Sequence, residues 1–209
     1  MTASPFYAND AQFFLDNFNF LNNQLQPTQD ADLAKQLAFV PGIKEMLMLR
    51  QVHALEHATV WILSEAQKSS SMSEQLIGGL STEQGFYLYG DLNHTNLQRA
   101  VTTALQRLTS GEWNLALHPR CGTNVSVGII LAAGLAVGFH LLFPRGPIEQ
   151  ILGLGLATTT AVHFAPQLGI LAQRYVTTAI PFNLVVENIK ITQDIWGQAA
   201  HFVQVRWVD

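Results

Sequence analysis

The sequence predicts an α+β protein, a small cytoplasmic α+β domain with a two-helix transmembrane hairpin inserted before its C-terminal strands. Charged residues make up only 12% of the 209 residues, against about 25% in ordinary soluble proteins. Two long stretches in the second half of the chain carry no formal charge. Short segments with the alternation typical of β-strands flank those stretches. This combination favours a membrane protein over a wholly soluble one.

Four regions follow from these patterns. They are an N-terminal amphipathic helical segment (1–40), an α+β region (41–123), the transmembrane helical hairpin (124–173) and the C-terminal strands that complete the α+β domain (174–209). In the first region apolar residues recur at helical spacing, which is typical of an amphipathic helix on a core, a partner or a membrane surface. Those residues are Phe13, Phe14, Phe18 and Leu21.

The α+β region begins with a long helix after Pro41-Gly42, which ends at the KSSSMS stretch. Alternation and turn residues predict the remaining elements. In order, they are a strand pair over 76–92, a helix from Asn93 to about Thr109, a returning strand at Trp113–Leu117 and, beyond the hairpin, strands at 183–192 and 201–208.

The hairpin is predicted from two uncharged runs. Residues 124–143 form a run of 20 residues, which at about 1.5 Å per residue covers the roughly 30 Å hydrocarbon core of a bilayer. After a turn rich in proline and glycine, residues 150–173 form the second run. Gly134 and Gly138 fit the GxxxG pattern of closely packed membrane helices. A buried hairpin inside a soluble protein is the alternative interpretation of both runs.

Basic residues beside the runs predict the orientation. Arg120 precedes the hairpin and Arg174 and Lys190 follow it, whereas Arg145 lies in its turn. This bias places both termini in the cytoplasm, with the hairpin in a bacterial inner or thylakoid-type membrane. The expected partners are the lipid bilayer and either another membrane protein or a second copy of the chain, since the GxxxG pattern permits oligomers.

The charge balance excludes nucleic acid as the main partner. The net charge is −4, and the 11 lysines and arginines are scattered, whereas phosphate contacts need clustered basic residues. Cys121 is the single cysteine. The chain therefore cannot form an internal disulfide, and nothing requires an oxidising compartment.

The stretch HALEH, residues 53–57, lies in the long predicted helix. His53 and His57, at i and i+4, project from one helix face, close enough for both imidazoles to bind one metal ion. Glu56 lies beside them. H-x-x-E-H is the inverted form of the zinc-peptidase motif, in which the glutamate acts as general base. The alternative is a helix face with solvated or hydrogen-bonded histidines.

A second stretch, HPRCGTN at residues 118–124, directly precedes the first apolar run. His118 and Cys121 have the two-residue gap typical of zinc ligands, and the proline and glycine around them favour a tight loop. A lone cysteine is more often an inert small hydrophobe, but this loop beside an H-x-x-x-H helix favours a thiolate ligand. Arg120 is a further candidate, either to stabilise the thiolate or an anionic substrate or to contact lipid headgroups.

Together, H-x-x-E-H at 53–57 and H-P-R-C-G-T at 118–123 resemble the YqhQ-like family of bacterial membrane proteins. The resemblance covers roughly residues 50–175. It implies a membrane protein with a metal site but implies no reaction, and the chain departs from that family in having only two clear membrane helices.

Zinc is the expected cofactor, and the number of protein ligands decides its role, since three ligands leave an open position and four close the site. The expected function is an integral membrane, peptidase-like metal-dependent hydrolase. In it His53 and His57 bind the metal, His118 or Cys121 completes the site and Glu56 is the general base. Weaker alternatives for the third ligand are Glu112, Glu149 and Glu187. The alternative function is a non-enzymatic membrane assembly or scaffold protein with a structural zinc site, as a subunit of a larger complex.

Overall fold

The computed structural model describes residues 30–69, 77–142 and 146–208. These residues form five α-helices, α1 (Asp30–Gln36), α2 (Ile43–Ser69), α3 (His94–Thr109), α4 (Gly122–Leu142) and α5 (Pro147–Ala172). They also form four strands, β1 (Gly78–Thr82), β2 (Gly85–Tyr89), β3 (Leu184–Gln193) and β4 (Ala199–Trp207). The predicted α+β class is confirmed. The predicted amphipathic helix around Phe13–Leu21 lies outside the described residues.

The chain divides into two compact units, which we call the sheet unit and the helix-pair unit. The described part of the sheet unit comprises residues 30–69, 77–121 and 172–208. The described part of the helix-pair unit comprises residues 122–142 and 146–171.

The sheet unit contains a four-stranded antiparallel sheet in the order β1-β2-β4-β3. β1 and β2 form a hairpin in which Thr82 lies opposite Gly85. Gly85 has a φ of 145°, and a Cβ at this position would lie 2.0 Å from the carbonyl oxygen of Val203, so only glycine fits. β3 and β4 pair along their length, with a bulge between Val186 and Asn188. The predicted strand pair over 76–92 and the two predicted strands after the hairpin are therefore present.

α2 is the central helix of the sheet unit. It contacts α1, α3 and the strands β1, β2 and β3. Every side chain from Gln51 to Val60 is buried except that of His53, which is half-buried. A helix enclosed in this way contributes to the core all round its circumference instead of along one stripe. Its polar residues in this stretch therefore need partners from other elements.

α3 covers one side of this core, as the sequence predicted. The side chain of Asn93 accepts hydrogen bonds from the backbone N–H groups of Thr95 and Asn96 and so caps the helix. The buried residues of α3 recur every three or four positions, which is the spacing of one helix face. They are Leu97, Ala100, Val101, Ala104 and Leu108.

The predicted strand at Trp113–Leu117 is wrong. Trp113–Ala116 forms a 3₁₀ turn, after which the Leu117 N–H donates to the carbonyl of Asn114 at 3.1 Å. When apolar and polar residues alternate over only five positions, the pattern does not distinguish a strand from a short turn with one buried side. The turn packs against α2 and α3, and it places the carbonyl of Ala116 and the following loop beside α2.

α4 and α5 of the helix-pair unit pack antiparallel through glycines. Three glycines approach the opposite helix closely, Gly128 facing Ala165, Gly153 facing Phe139 and Gly169 facing Asn124. By contrast, a Cβ on Gly134 or Gly138 would meet nothing within 4 Å. The close approach of two helices is therefore present, but the predicted use of the GxxxG pair for it is wrong.

Among the described residues, one helix is long and apolar enough to cross a membrane. This helix is α4, with a mean hydropathy of 2.2 over its most apolar window, 0% of which is buried. α5 is longer, but its threonines (158–160) and Gln167 make it less apolar. The predicted hairpin thus corresponds to a helix pair in which α4 alone meets the requirement for a span, and a two-helix transmembrane hairpin is not confirmed.

Candidate metal centre

Three side chains of the sheet unit converge beside the middle of α2. His53 and His57 lie one turn apart on α2, with ring centroids 4.3 Å apart, and Cys121 lies in the loop that follows the 3₁₀ turn. In the described part of the chain, one ligand atom from each of these three residues lies within 4.8 Å of the other two. Two imidazoles and a thiolate are donors that bind zinc. The group can therefore hold a metal ion.

Backbone carbonyls fix the orientation of both histidines. His57 Nδ1 donates to the carbonyl of Ala116 at 2.7 Å, and His53 Nδ1 donates to the carbonyl of Thr177 at 3.0 Å. A carbonyl only accepts, so the proton of each neutral ring is on Nδ1 and the lone pair is on Nε2. Metal-binding histidines are typically held in this way, with the second nitrogen donating to an acceptor.

The spacing of the ligand atoms also fits a metal. His53 Nε2 lies 3.3 Å from Cys121 Sγ. Bonds of about 2.0 Å to nitrogen and 2.3 Å to sulfur, at tetrahedral angles, would place two zinc ligands about 3.5 Å apart. The Cys121 N–H donates to the carbonyl of His118 at 3.2 Å and closes the turn that carries the sulfur. The thiol is therefore already at the distance that a shared metal requires.

His118 is buried beside this group but is protonated differently. Its Nδ1 accepts from the backbone N–H of Arg120 at 3.3 Å, so the proton of the neutral ring is on Nε2. Burial lowers the pKa of His118 to about 4, with contributions from His57 and Arg120. Its ring centroid lies 5.6 Å from that of His57 and 5.2 Å from that of Trp61. His118 lies outside the converging group and stays a predicted ligand.

Glu56 is held by strand β1. Its Oε2 accepts from the hydroxyl of Ser81 at 2.5 Å, and a Cβ on Gly79 would overlap with its Oε1. Burial raises the pKa of Glu56, while the hydrogen bond from Ser81 and the charge of His53 act in the opposite direction. The carboxylate thus interacts with His53 from a position that a side chain at residue 79 would displace, and it is not one of the three converging ligands.

The other predicted candidates lie around or away from the group. The side chain of Arg120 is exposed. Glu112 forms an ion pair with Arg107 at 2.6 Å, and Glu187 forms one with Arg206 at 2.8 Å. Glu149 belongs to α5 in the helix-pair unit.

Two supporting residues after α5 were not predicted from the sequence. Gln173–Thr177 form a π-helical turn, a deviation from the α-helix that is frequent at functional sites. Gln173 is fully buried and bonds both backbone groups of His118, accepting from its N–H at 2.8 Å and donating to its carbonyl at 3.1 Å. Thr177 supplies the carbonyl that orients His53. A glutamine at the end of the second uncharged run was the available sequence signal.

Residues 48–189 match a protein family described as a domain of unknown function, DUF6391. An uncharacterised protein of Picosynechococcus sp. strain PCC 7002 is 51% identical over 188 residues, which cover 88% of this chain and 92% of that protein. No solved structure gives a significant match. The predicted resemblance to an uncharacterised family is confirmed, whereas its assignment as YqhQ-like is not supported by these matches. The chain belongs to the DUF6391 family.

Proposed function

We propose that this protein is an integral membrane, zinc-binding hydrolase with peptidase-like chemistry, centred on His53, His57 and Cys121. The observation that carries the proposal is the tautomer that the hydrogen bonds of the two histidines fix for their neutral rings. Both Nδ1 atoms donate to backbone carbonyls, so the Nε2 lone pair of each ring is available for a metal. The sulfur of Cys121 lies next to Nε2 of His53. Histidines that only filled a core would also need hydrogen-bond partners, so it is the convergence of both rings with the Cys121 sulfur that favours a metal.

A three-ligand site supports catalysis over a purely structural role. Zinc with three protein ligands keeps a fourth position for water or substrate. His118 is the nearest further imidazole, but its Nδ1 lone pair is engaged by the N–H of Arg120. It would join the site only after a change of tautomer or ring orientation. Zinc held by the three residues would supply a Lewis acid and the means to activate water at neutral pH.

Glu56 is the residue that we assign to proton transfer. Its carboxylate is buried and interacts electrostatically with His53, and Ser81 donates to one of its oxygens. A general base must be held within reach of the reacting water, and it returns the proton to the leaving group later in the reaction. The seat formed by Gly79 and Ser81 restricts the glutamate side chain, which favours this role over that of a mobile surface carboxylate.

The exposed apolar surface of α4 supports a membrane location. A helix of this length covers the hydrocarbon core, and large exposed apolar surfaces mark contact with a membrane or a partner. The exposed large apolar residues of α4 are Val125, Ile129, Ile130, Val137, Leu141 and Leu142. We propose that α5 crosses the bilayer with α4, since their glycines hold the two together, which keeps both termini on the cytoplasmic side.

A structural zinc site in a membrane assembly or scaffold protein is the second candidate. The position of His118 favours it, because this residue is buried with its ring 5.6 Å from that of His57. With its ring turned so that a nitrogen lone pair faces the group, His118 would be a fourth ligand and would close the site. Glu56 would then only support a neighbouring histidine.

Metal content tests the site itself. The full chain is purified in detergent without a histidine tag, and the zinc content per chain is measured. The same measurement is made on the variants His57→Ala and Cys121→Ser. His163→Ala, which changes a histidine of α5 outside the group, is the control. We expect about one zinc per chain in the wild type and the control and little in the other two variants. Absence of zinc in the wild type, with no binding on titration with Co²⁺, would overturn the proposal.

Access to the metal separates the two candidate functions. The protein is loaded with Co²⁺ and titrated with azide, and the d–d absorption is recorded. A spectral change in the wild type indicates an exchangeable position and supports the hydrolase. A change only in His118→Ala indicates a closed site and supports the scaffold. In the first case Glu56→Gln should keep the cobalt spectrum and lose hydrolysis of a fluorogenic casein, and equal hydrolysis in both proteins would remove Glu56 from the reaction.

A further inference from the structure

The metal group is connected by the chain itself to both apolar helices. Cys121 directly precedes Gly122, the first residue of α4. Gln173 directly follows Ala172, the last residue of α5. A ligand and a supporting residue are thus each one peptide bond from an end of the helix pair.

The amide of Gln173 holds the loop that carries Cys121. It bonds both the N–H and the carbonyl of His118, and the same carbonyl accepts from the N–H of Cys121 at 3.2 Å. Both ends of a fully buried amide are therefore used on one residue of the loop. The position of the sulfur depends on this pair of bonds, because they fix the first residue of its turn.

The other end of the π-helical turn is attached to α2. The N–H and the hydroxyl of Thr178 both donate to the carbonyl of Gln173, at 2.9 and 2.8 Å. The Arg50 side chain donates to the carbonyl of Thr178 at 3.2 Å. The carbonyl of Thr177, the last residue of the turn, accepts from His53 Nδ1 at 3.0 Å. The turn therefore contacts both a ligand on α2 and the loop of Cys121.

α4 and α5 are held together close in sequence to these connections. Gly169 lies four residues before Gln173, and Asn124 lies three residues after Cys121. A Cβ on Gly169 would lie 2.8 Å from the Cα of Asn124, a backbone atom. Any larger residue at position 169 must therefore move the two helices apart at this end.

We infer that the π-helical turn Gln173–Thr177 positions the metal ligands and that the packing of α4 against α5 thereby regulates the metal affinity of the site. The inference rests on the proposed metal binding by His53, His57 and Cys121. Separation of the helix ends moves both Cys121 and Gln173, and it moves them away from each other. The two histidines belong to α2 and are not moved in this way. The distance between His53 Nε2 and Cys121 Sγ then differs from the distance that two ligands of one metal require. A change in the bilayer or in a partner of the helix pair would act on the site by this route.

The role of Gln173 is tested with a matched pair of substitutions. Gln173→Leu and Gln51→Leu each replace a fully buried glutamine, and only the first contacts the loop of Cys121. Co²⁺ affinity of the full chain in detergent is measured by competition with a chelator, with the thiolate-to-cobalt absorption as signal. We expect a loss of about 10- to 100-fold for Gln173→Leu, typical of residues that support metal ligands, and unchanged affinity for Gln51→Leu.

The coupling to the helix pair is tested with two glycines of α5. Gly169→Ala must separate the helices, whereas Gly155→Ala adds a Cβ with nothing within 4 Å. We expect Gly169→Ala to weaken Co²⁺ binding by about 2- to 30-fold, the range for substitutions that change coupling from outside a site, and Gly155→Ala to leave it unchanged. Tryptophan fluorescence reports whether the sheet unit is intact, since Trp61, Trp113, Trp196 and Trp207 all belong to it.

The outcomes separate this inference from the function on which it rests. No Co²⁺ binding by the wild type overturns both. Normal binding by the wild type with equal affinity in Gly169→Ala and Gly155→Ala overturns the coupling and leaves the metal site. If Gln173→Leu does not fold, the glycine pair still decides, because neither glycine belongs to the sheet unit.

Discussion

Helices α2 and α4 are both long, at 27 and 21 residues, yet they differ in what covers them. α2 carries charged and polar residues and is enclosed by α3, the sheet and the 3₁₀ turn. α4 is far more apolar, and among its described residues no side chain is buried. The apolar content of a helix therefore does not predict its burial within its own chain. Burial requires a surface of matching shape, which the sheet unit supplies for α2.

The difference in burial between α2 and α4 also explains why the candidate metal site lies on α2. A polar group in an enclosed helix is retained only with partners, and the partners of His53 and His57 are backbone carbonyls that fix their protonation. On the helix pair, the hydroxyls of Thr158 and Thr159 each donate to a carbonyl of their own helix, at 2.9 Å. The enclosed helix thus carries the site, and the exposed one is suited to an apolar environment.

The largest expected effect comes from the same substitution in both helices. Leu47 in α2 is 0% exposed and Leu141 in α4 is 74% exposed. Leu47→Ala should lower the free energy of unfolding of the sheet unit by ~2 to 5 kcal/mol, because it leaves a cavity, and Leu141→Ala should leave it unchanged. Urea unfolding in detergent, followed by tryptophan fluorescence, measures both. Equal losses would mean that the two helices do not differ in packing.

The second largest expected effect is that of a charged substitution in α4 on membrane insertion. Ile130 in α4 and Ile191 in β3 are both 72% exposed. A lysine near the centre of a membrane helix costs about 2.5 to 3.5 kcal/mol on insertion, so Ile130→Lys should shift the protein out of the carbonate-resistant membrane fraction. Ile191→Lys should not. If both variants stay in that fraction, α4 is not the segment that holds the protein in the bilayer.

Buried polar contacts give a smaller contrast. Gln51 Nε2 donates to Asp30 and to Asn183, both at 3.2 Å. Gln51→Leu removes this donor from two buried acceptors and should cost about 1 to 3 kcal/mol. Thr159→Val on α5 should change stability by less than about 0.5 kcal/mol, since its hydroxyl serves only its own helix. Thermal unfolding of both variants measures the contrast, and a larger loss for Thr159→Val would contradict it.

The smallest effect is expected at alkaline pH, on the face of the sheet away from α2. Tyr89 donates to Asp194 at 2.8 Å, and burial together with that hydrogen bond and charge raises the pKa of Tyr89 to about 12. The unfolded value is about 10, so the neutral phenol stabilises the fold fully below pH 10, and this contribution is lost as the pH rises through about 12. Urea unfolding between pH 8 and 12 should show the loss in the wild type and not in Tyr89→Phe. Parallel curves for the two proteins would contradict the assignment.

Local patterns sufficed for the elements whose causes are local. The helix predicted from Asn93 is present, because a side-chain acceptor at that position satisfies backbone donors two and three residues away. The two strand pairs follow from alternation and from glycine in the β1–β2 turn. The strand expected at Trp113–Leu117 failed because a five-residue alternation is too short to identify a partner, and the chain there turns against α2 instead.

Three features of the site follow from the sequence alone: the two histidines share a helix face, a cysteine lies in a predicted tight loop, and a 20-residue uncharged run follows it. Helical periodicity and residue chemistry are local properties, so one chain is enough to identify them. The folded structure was needed to show that Cys121, and not His118, converges with the histidines, that Glu56 contacts Gly79 and Ser81, and that Gln173 and Thr177 support the site. These relations join residues up to 124 positions apart, and they depend on which backbone carbonyls and close approaches the folded chain brings together.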